Sequence, residues 1–124
     1  MYAPGLQPHS EEDPLDTHAQ GARAITMRGV ATLERLTISS PPIEGIVLRY
    51  GHLYGPRTGS DVAGEAPAQD VDASAWAALL AIDKARRGVF NIAERNAYLS
   101  IEKARRQLGF DPSFRMDGRA AEPS

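Results

Sequence analysis

One run of residues limits the fold more than any other: Gly45-Ile46-Val47-Leu48-Arg49-Tyr50. Its aliphatic and β-branched side chains read as a strand, and the apolar residues Ile46, Val47 and Leu48 are consecutive rather than alternating. Such a strand expects cover on both faces, as in a parallel sheet flanked by helices. It also needs neighbouring strands. The rest of the 124-residue chain offers one other recognisable strand, Val89-Phe90-Asn91-Ile92. Two strands bury even one face poorly, so the sequence predicts a piece of a larger sheet.

The remaining segments fit that frame. Residues 1–21 are rich in proline and acidic side chains without an apolar period, and read as loop. A free segment of this kind stays disordered unless it packs on something. From Ala22 to Ile38 a helix is expected, with Ala22, Ile25, Gly29, Leu33 and Leu36 on one apolar stripe. Gly29 on that stripe weakens the helix by roughly 1 kcal/mol relative to alanine but permits close approach of another helix. Ser39-Ser40-Pro41-Pro42 stops it. His52 to Asp70 reads as loop, and Tyr54-Gly55-Pro56 as a turn. Asp72 is the expected N-cap of a helix to Arg87, with Ala75, Leu79 and Ile82 on one face, Trp76 and Leu80 beside it and Gly88 closing it. Ser100 caps a last helix through Leu108, with Ile101, Ala104 and Leu108 inward and Gly109 as its stop. Phe110 to Phe114 folds back on that helix, and 116–124 is expected to fray. The fold class is α/β, with few strands and packed helices.

Composition narrows the function. A net charge of −2 gives no general attraction for nucleic acid or anionic membrane. The basic clusters Lys84 to Arg87 and Lys103 to Arg106 fall late in expected helices, where they complement the helix dipole. The absence of cysteine removes disulfides, thiolate metal sites and a thiol nucleophile. No apolar run is long enough to span a bilayer, and no export signal opens the chain. A soluble, cytoplasmic protein is expected, with neither nucleic acid nor membrane as partner. His9 and His18 with Glu11, Glu12, Asp13 and Asp16 match no ordered metal-ligand spacing.

Three stretches, in order, resemble the second half of an NAD(P)-dependent epimerase/dehydratase, the extended short-chain dehydrogenase family. Leu48-Arg49-Tyr50-Gly51-His52-Leu53-Tyr54-Gly55-Pro56 is similar to the family's LR-x-x-x-x-YGP strand and loop. Val71-Asp72-Ala73-Ser74-Ala75 is similar to its HVDD-x-A turn. Gly88-Val89-Phe90-Asn91-Ile92 is similar to its G-x-x-N-I strand, and Ala104 with Leu108-Gly109-Phe110-Asp111-Pro112 to its closing A-x-x-x-LG-[WF]-x-P turn. Tyr2-Ala3-Pro4-Gly5 and the Pro8 to Pro14 stretch resemble the loop after the family's YG segment. The resemblance spans roughly residues 2–115. It implies a partial Rossmann-type C-terminal half, with NAD or NADP as cofactor and a nucleotide sugar or similar carbonyl/hydroxyl substrate. It also implies that Tyr50 and Gly51 pass close to the nicotinamide and that His52 contacts substrate.

Two departures limit that expectation. No G-x-G-x-x-G or G-x-x-G-x-x-G turn is present to hold a pyrophosphate. The family's Tyr-x-x-x-Lys pair, aligned through Glu34, falls on Thr26 and Val30, which supply neither a phenol nor an ammonium. No catalytic residue is carried over, and whether the chain is an enzyme is left open. Tyr50 and Gly51 are cofactor contacts only where a Rossmann half is supplied, and the chain alone is not expected to hold NAD(P). Arg49 is expected to tether the strand end and Asp72 to cap its helix.

Residues 1–21 are thus a loop segment, 22–115 an epimerase/dehydratase-like region and 116–124 a tail. Three readings follow: a truncated substrate-side half that is not catalytic alone, an interaction module, or a gene remnant. In the second, the helix at 22–38 pairs with a second copy or with a chain carrying the Rossmann half. Met1 immediately before a mid-family motif suits the third.

Overall fold

The computed structural model describes residues 1–64, 66–84 and 87–116. Its elements run α1 (Ala22–Ile38), β1 (Ile46–Tyr50), β2 (His52–Tyr54), β3 (Ala68–Asp70), α2 (Val71–Lys84), β4 (Gly88–Ile92) and α3 (Glu102–Leu108). This is the expected α/β order. β1 and β4 form a parallel pair in register from Ile46↔Gly88 to Tyr50↔Ile92. A second parallel pair joins β2 to β3, from His52↔Ala68 to Tyr54↔Asp70. That pair falls where the sequence reads as loop. His-Leu-Tyr and Ala-Gln-Asp are too short and too mixed to show a strand period.

The β1–β4 ladder is covered on both faces, as its consecutive apolar residues require. Side chains alternate along a strand, and Tyr50 reaches α2, its hydroxyl donating to the Ser74 carbonyl at 3.1 Å. Ile46, Leu48, Phe90 and Ile92 share that face and pack with Ala73, Ala77 and Leu80 of α2 and Ala104 and Leu108 of α3. Arg49 and Asn91, paired in register, point to the other face, toward α1 and the N-terminal segment. Residues 1–21 contain no helix or long strand, yet they are packed: Tyr2 and His9 are buried, and bridges join Tyr2 to Leu15 and His9 to Leu99.

Both long helices turn a different face inward from the one their large apolar residues suggest. α1 buries Ala24 and Met27, while Ile25, Leu33 and Leu36 are exposed at 73%, 67% and 53%. No other group lies within 4 Å of the position a side chain would take at Gly29, so no helix approaches there. α2 buries Ala73, Ser74, Ala77, Leu80 and Ala81, while Leu79 and Ile82 are exposed. Small side chains bring both helices close to a narrow sheet, and the larger residues are left outward. The N-cap of α2 is Asp70, not Asp72: its Oδ1 accepts from the amides of Asp72 at 2.8 Å and Ala73 at 3.4 Å. Asp72 instead accepts from the Met116 amide at 3.1 Å.

α3 begins one residue later than expected, with Ile101 at the cap position and the Ser100 hydroxyl 3.4 Å from the Glu102 amide. Gly109 ends it in the left-handed conformation at φ 70°, and Phe110 turns back into the core. Gly88 opens β4. The expected helical residues 85 and 86 and the tail beyond Met116 lie outside the described residues.

α1 is fixed to the sheet by a buried ion pair. Arg49 donates to Glu34 through Nε at 3.0 Å and Nη2 at 2.6 Å, and to the Tyr2 hydroxyl at 2.8 Å. Removing one member of such a pair strands the other charge and costs about 3–5 kcal/mol. A domain this small has total stability on the order of 5–15 kcal/mol. Glu34→Ala is therefore expected to lower stability by about 3–5 kcal/mol in urea denaturation, a large share of the total, with Glu34→Gln intermediate. A loss below about 1 kcal/mol would mean that water replaces the carboxylate at Arg49.

Candidate functional site

In open parallel sheets, ligands gather beyond the carboxyl ends of the strands. Beyond β1 and β4 the structure forms a cleft of about 260 Å³, lined by Met1, Tyr50, Gly51, His52, Pro67, Tyr98 and Leu99. The three residues singled out by the resemblance, Tyr50, Gly51 and His52, are thus brought to one place. The Tyr50 ring lines the cleft while its hydroxyl is engaged by Ser74. Burial raises its phenol above the ordinary value, so it is a neutral wall at physiological pH.

Gly51 has a structural reason to be glycine. Its amide donates to the Ile92 carbonyl at 2.9 Å, and a side chain there would come within 2.7 Å of the Pro67 carbonyl oxygen. The backbone of β1 leaves the first ladder here and enters the second, against the loop before β3. The His52 amide is bonded to that same Pro67 carbonyl at 2.7 Å, which fixes the residue's position. Its ring is exposed and has no hydrogen-bond partner among the described residues. The His52 ring, like the Tyr98 hydroxyl, reaches the cleft with polar atoms that meet no hydrogen-bond partner among the described residues.

A second cluster lies beside the end of β4. Tyr54 is buried and donates to Glu94 at 2.5 Å, while Arg115 donates to the Tyr54 oxygen at 3.0 Å. Arg115 also stands 3.4 Å from Asp70 and 3.7 Å from Glu94. One guanidinium thus ties the closing turn to β2, to the cap of α2 and to the end of β4. Burial, followed by Glu94, pushes the Tyr54 phenol far above its ordinary value, with Arg115 opposing. Next to it, a cleft of about 330 Å³ is lined by Glu94, Arg95, Arg105, Phe110, Asp111, Pro112 and Ser113. The sequence reading places Tyr54 in a turn but does not group it with Asp70, Glu94 and Arg115, because Arg115 is separated from them by 21 to 61 positions and no local spacing reveals the cluster.

Arg49 acts as the expected tether. His9 is turned inward, stacked on Tyr2 at 5.0 Å and bonded to Asp13 at 2.9 Å. Among the described residues, no group of three or more His, Cys, Asp or Glu side chains is placed to hold a metal ion, and no helix is long and apolar enough to cross a membrane. Thr26 is exposed on α1 and Val30 half-buried.

Comparison with known proteins gives one informative likeness. Over 59 residues the chain is 52% identical to a 3-diazoavenalumate denitrifying reductase from a Streptomyces species. The matched segment is 46% of this chain and 19% of the reductase, so the chain spans well under a quarter of that relative's length. No protein-family model and no solved structure matches the chain.

The tyrosines set an alkaline limit on the fold. Burial raises Tyr2, Tyr50 and Tyr54, whereas an unfolded tyrosine ionises near pH 10, as ~10 is its unperturbed value. Above that pH the folded chain holds more protons than the unfolded one, so stability falls as pH rises; below it the contribution is constant. Urea midpoints are expected to be level up to about pH 10 and to drop beyond it, with Tyr54→Phe flattening the drop. A level profile for the natural chain into the range where free tyrosine is ionised would contradict the buried geometry.

Proposed function

We propose that these residues form the substrate-side part of a reductase-type oxidoreductase of the NAD(P)-dependent epimerase/dehydratase kind. The observation that carries this reading is the cleft at the carboxyl ends of β1 and β4, where Tyr50, Gly51 and His52 meet. The likeness to a denitrifying reductase supports it and favours reduction over epimerisation or dehydration of a nucleotide sugar. In this reading His52 hydrogen-bonds the substrate, and Tyr50 and Gly51 pass the nicotinamide ring. Arg49, Tyr54 and Arg115 hold the cleft walls without touching either ligand.

The residues present fit a dinucleotide only at its ring end. The exposed His52 ring and the Tyr50 face offer a polar contact and a flat apolar wall. The sequence has no glycine-rich turn, and holding a pyrophosphate needs such a turn at a helix N-terminus. No step of hydride transfer is assigned to this chain. Turnover requires polypeptide outside these 124 residues to supply the nucleotide site and the proton donor.

Two measurements on the purified chain test this. NAD, NADP or NADPH at millimolar concentration is expected to leave the thermal midpoint unchanged, whereas binding at 100 times Kd would add about 2.7 kcal/mol. The relative's substrate, 3-diazoavenalumate, serves as a probe of the cleft by nuclear magnetic resonance. It is expected to shift the Tyr50, Gly51 and His52 amides weakly, with the effect lost in His52→Ala. A cofactor-dependent rise in midpoint would sink the claim that the nucleotide site lies elsewhere. Shifts confined to other surfaces would sink the cleft.

A further inference from the structure

Tyr98 lies in no helix or strand, yet its backbone and its ring are both fixed. Asn96 folds the chain after β4 into a turn. Its Oδ1 accepts from the amides of Tyr98 at 2.8 Å and Leu99 at 2.7 Å, and its Nδ2 donates to the Glu94 carbonyl at 2.7 Å. The Tyr98 carbonyl accepts from the His9 amide at 2.7 Å, and the Ser100 amide donates to the His9 carbonyl at 2.7 Å. The ring is set edge-on against His9, with centroids 5.1 Å apart, and against Tyr2 at 6.5 Å. A tyrosine ring packed in this way usually finds a protein partner for its hydroxyl. Here the half-buried ring is held while the hydroxyl, at the cleft, bonds no described residue. A side chain already ordered by its neighbours and free at its tip loses little freedom on meeting a ligand.

The rest of the cleft limits what that hydroxyl can meet. No Lys, Arg, Asp or Glu side chain lines it, and neither α2 nor α3 begins there. A phosphate placed in it would lose its water without gaining a cation or a set of helix amides. Pockets for drug-sized ligands measure roughly 300–1,000 Å³, and this cleft of about 260 Å³ falls just short of them. One ring with a short substituent suits it better than a nucleotide sugar. The rings of Tyr50 and Tyr98 both line it without pairing with one another, and Pro67 and Leu99 add apolar surface. Such walls favour a flat partner, which can stack on one ring or meet it edge-on.

We infer that the cleft takes a flat aromatic ring bearing a hydrogen-bonding oxygen such as a carbonyl, and that Tyr98 is a specificity-determining residue for it. The rings of Tyr98 and Tyr50 flank the ligand ring, and the Tyr98 hydroxyl donates to the ligand oxygen. The inference rests on the reading of this cleft as the substrate side of a reductase. It adds the class of substrate and a residue that the family resemblance does not single out.

The probe is acetophenone, titrated into the full chain and followed by nuclear magnetic resonance. It is expected to shift the Gly51, His52 and Leu99 amides and the Tyr98 ring protons at millimolar concentration. Cyclohexyl methyl ketone keeps the carbonyl without the flat ring and is expected to bind at least about fivefold more weakly. UDP-glucose is expected to leave these resonances in place. Tyr98→Phe removes a hydroxyl that has no partner in the free chain, so the thermal midpoint should stay unchanged while acetophenone binds about tenfold more weakly. A purely structural Tyr98 would not move that affinity. Equal binding of acetophenone by the natural chain and by Tyr98→Phe would overturn the inference, as would equal binding of the two ketones or no shift at the cleft. A preference for nicotinamide or UDP-glucose over acetophenone would overturn it too. Should Tyr98→Phe lower the midpoint, the order of the two ketones on the natural chain still decides. Acetophenone held through Tyr98 without binding of 3-diazoavenalumate would leave the ligand class standing and remove the reductase reading. The converse, 3-diazoavenalumate held in the cleft equally well by Tyr98→Phe, would keep that reading and remove this inference.

Discussion

The Arg49 guanidinium is the point through which most of this small structure is connected. It lies 7% exposed, donates twice to Glu34 of α1 and once to Tyr2 of the N-terminal segment, and sits 5.2 Å from the centre of the Tyr2 ring. Tyr2 in turn donates to Asn91 at 2.5 Å, and Asn91 donates to the carbonyls of His9 and Ser100. One cation therefore links α1, both strands of the main ladder, the N-terminal loop and the start of α3. A buried charge is tolerable only where its donors are matched. Here the match fixes the positions of segments that have too little apolar contact to fix themselves. It also explains why residues 1–21, which have no regular structure of their own, are held against the sheet.

That polar anchoring accounts for the unusual distribution of apolar surface. The inward faces of α1 and α2 are dominated by alanine, with Met27 and Leu80 the larger exceptions, and the large residues Ile25, Leu33, Leu36, Leu79 and Ile82 face outward. A complete small domain would be expected to use those residues as its core, since each buried aliphatic side chain contributes roughly 1.5–3 kcal/mol. Their exposure on both sides of a two-stranded ladder is what a sheet with more strands and helices around it would remove.

The sequence was a good guide to elements and a poor guide to faces. Helix α1, the strands β1 and β4, the Gly109 stop and the inward Ile101, Ala104 and Leu108 at α3 all follow from local patterns that survive in the structure. The apolar stripe of α1 is legible in the sequence but its exposure is not, because periodicity reports which residues lie together, not which way they face. The cap of α2 was misplaced by two residues because Asp70 and Asp72 both satisfy the local rule, and the choice depends on Arg115, far away in sequence. β2 and β3 were invisible for a related reason. Three residues hold no period, and their pairing is imposed by the turn at Gly51 and by the Asp70 and Tyr54 side chains at their ends.

The candidate site was legible as three adjacent residues but not as a geometry. The spacing around Leu48-Arg49 selected Tyr50, Gly51 and His52, and the structure gives each a distinct physical position. Tyr50 is tied to α2 by its hydroxyl, Gly51 admits the Pro67 backbone, and His52 is left with an unengaged ring. These positions depend on one another. If Gly51 carried a side chain, β1 could not pass directly into β2, His52 would leave the Pro67 carbonyl, and the ring would lose its place beside Tyr50.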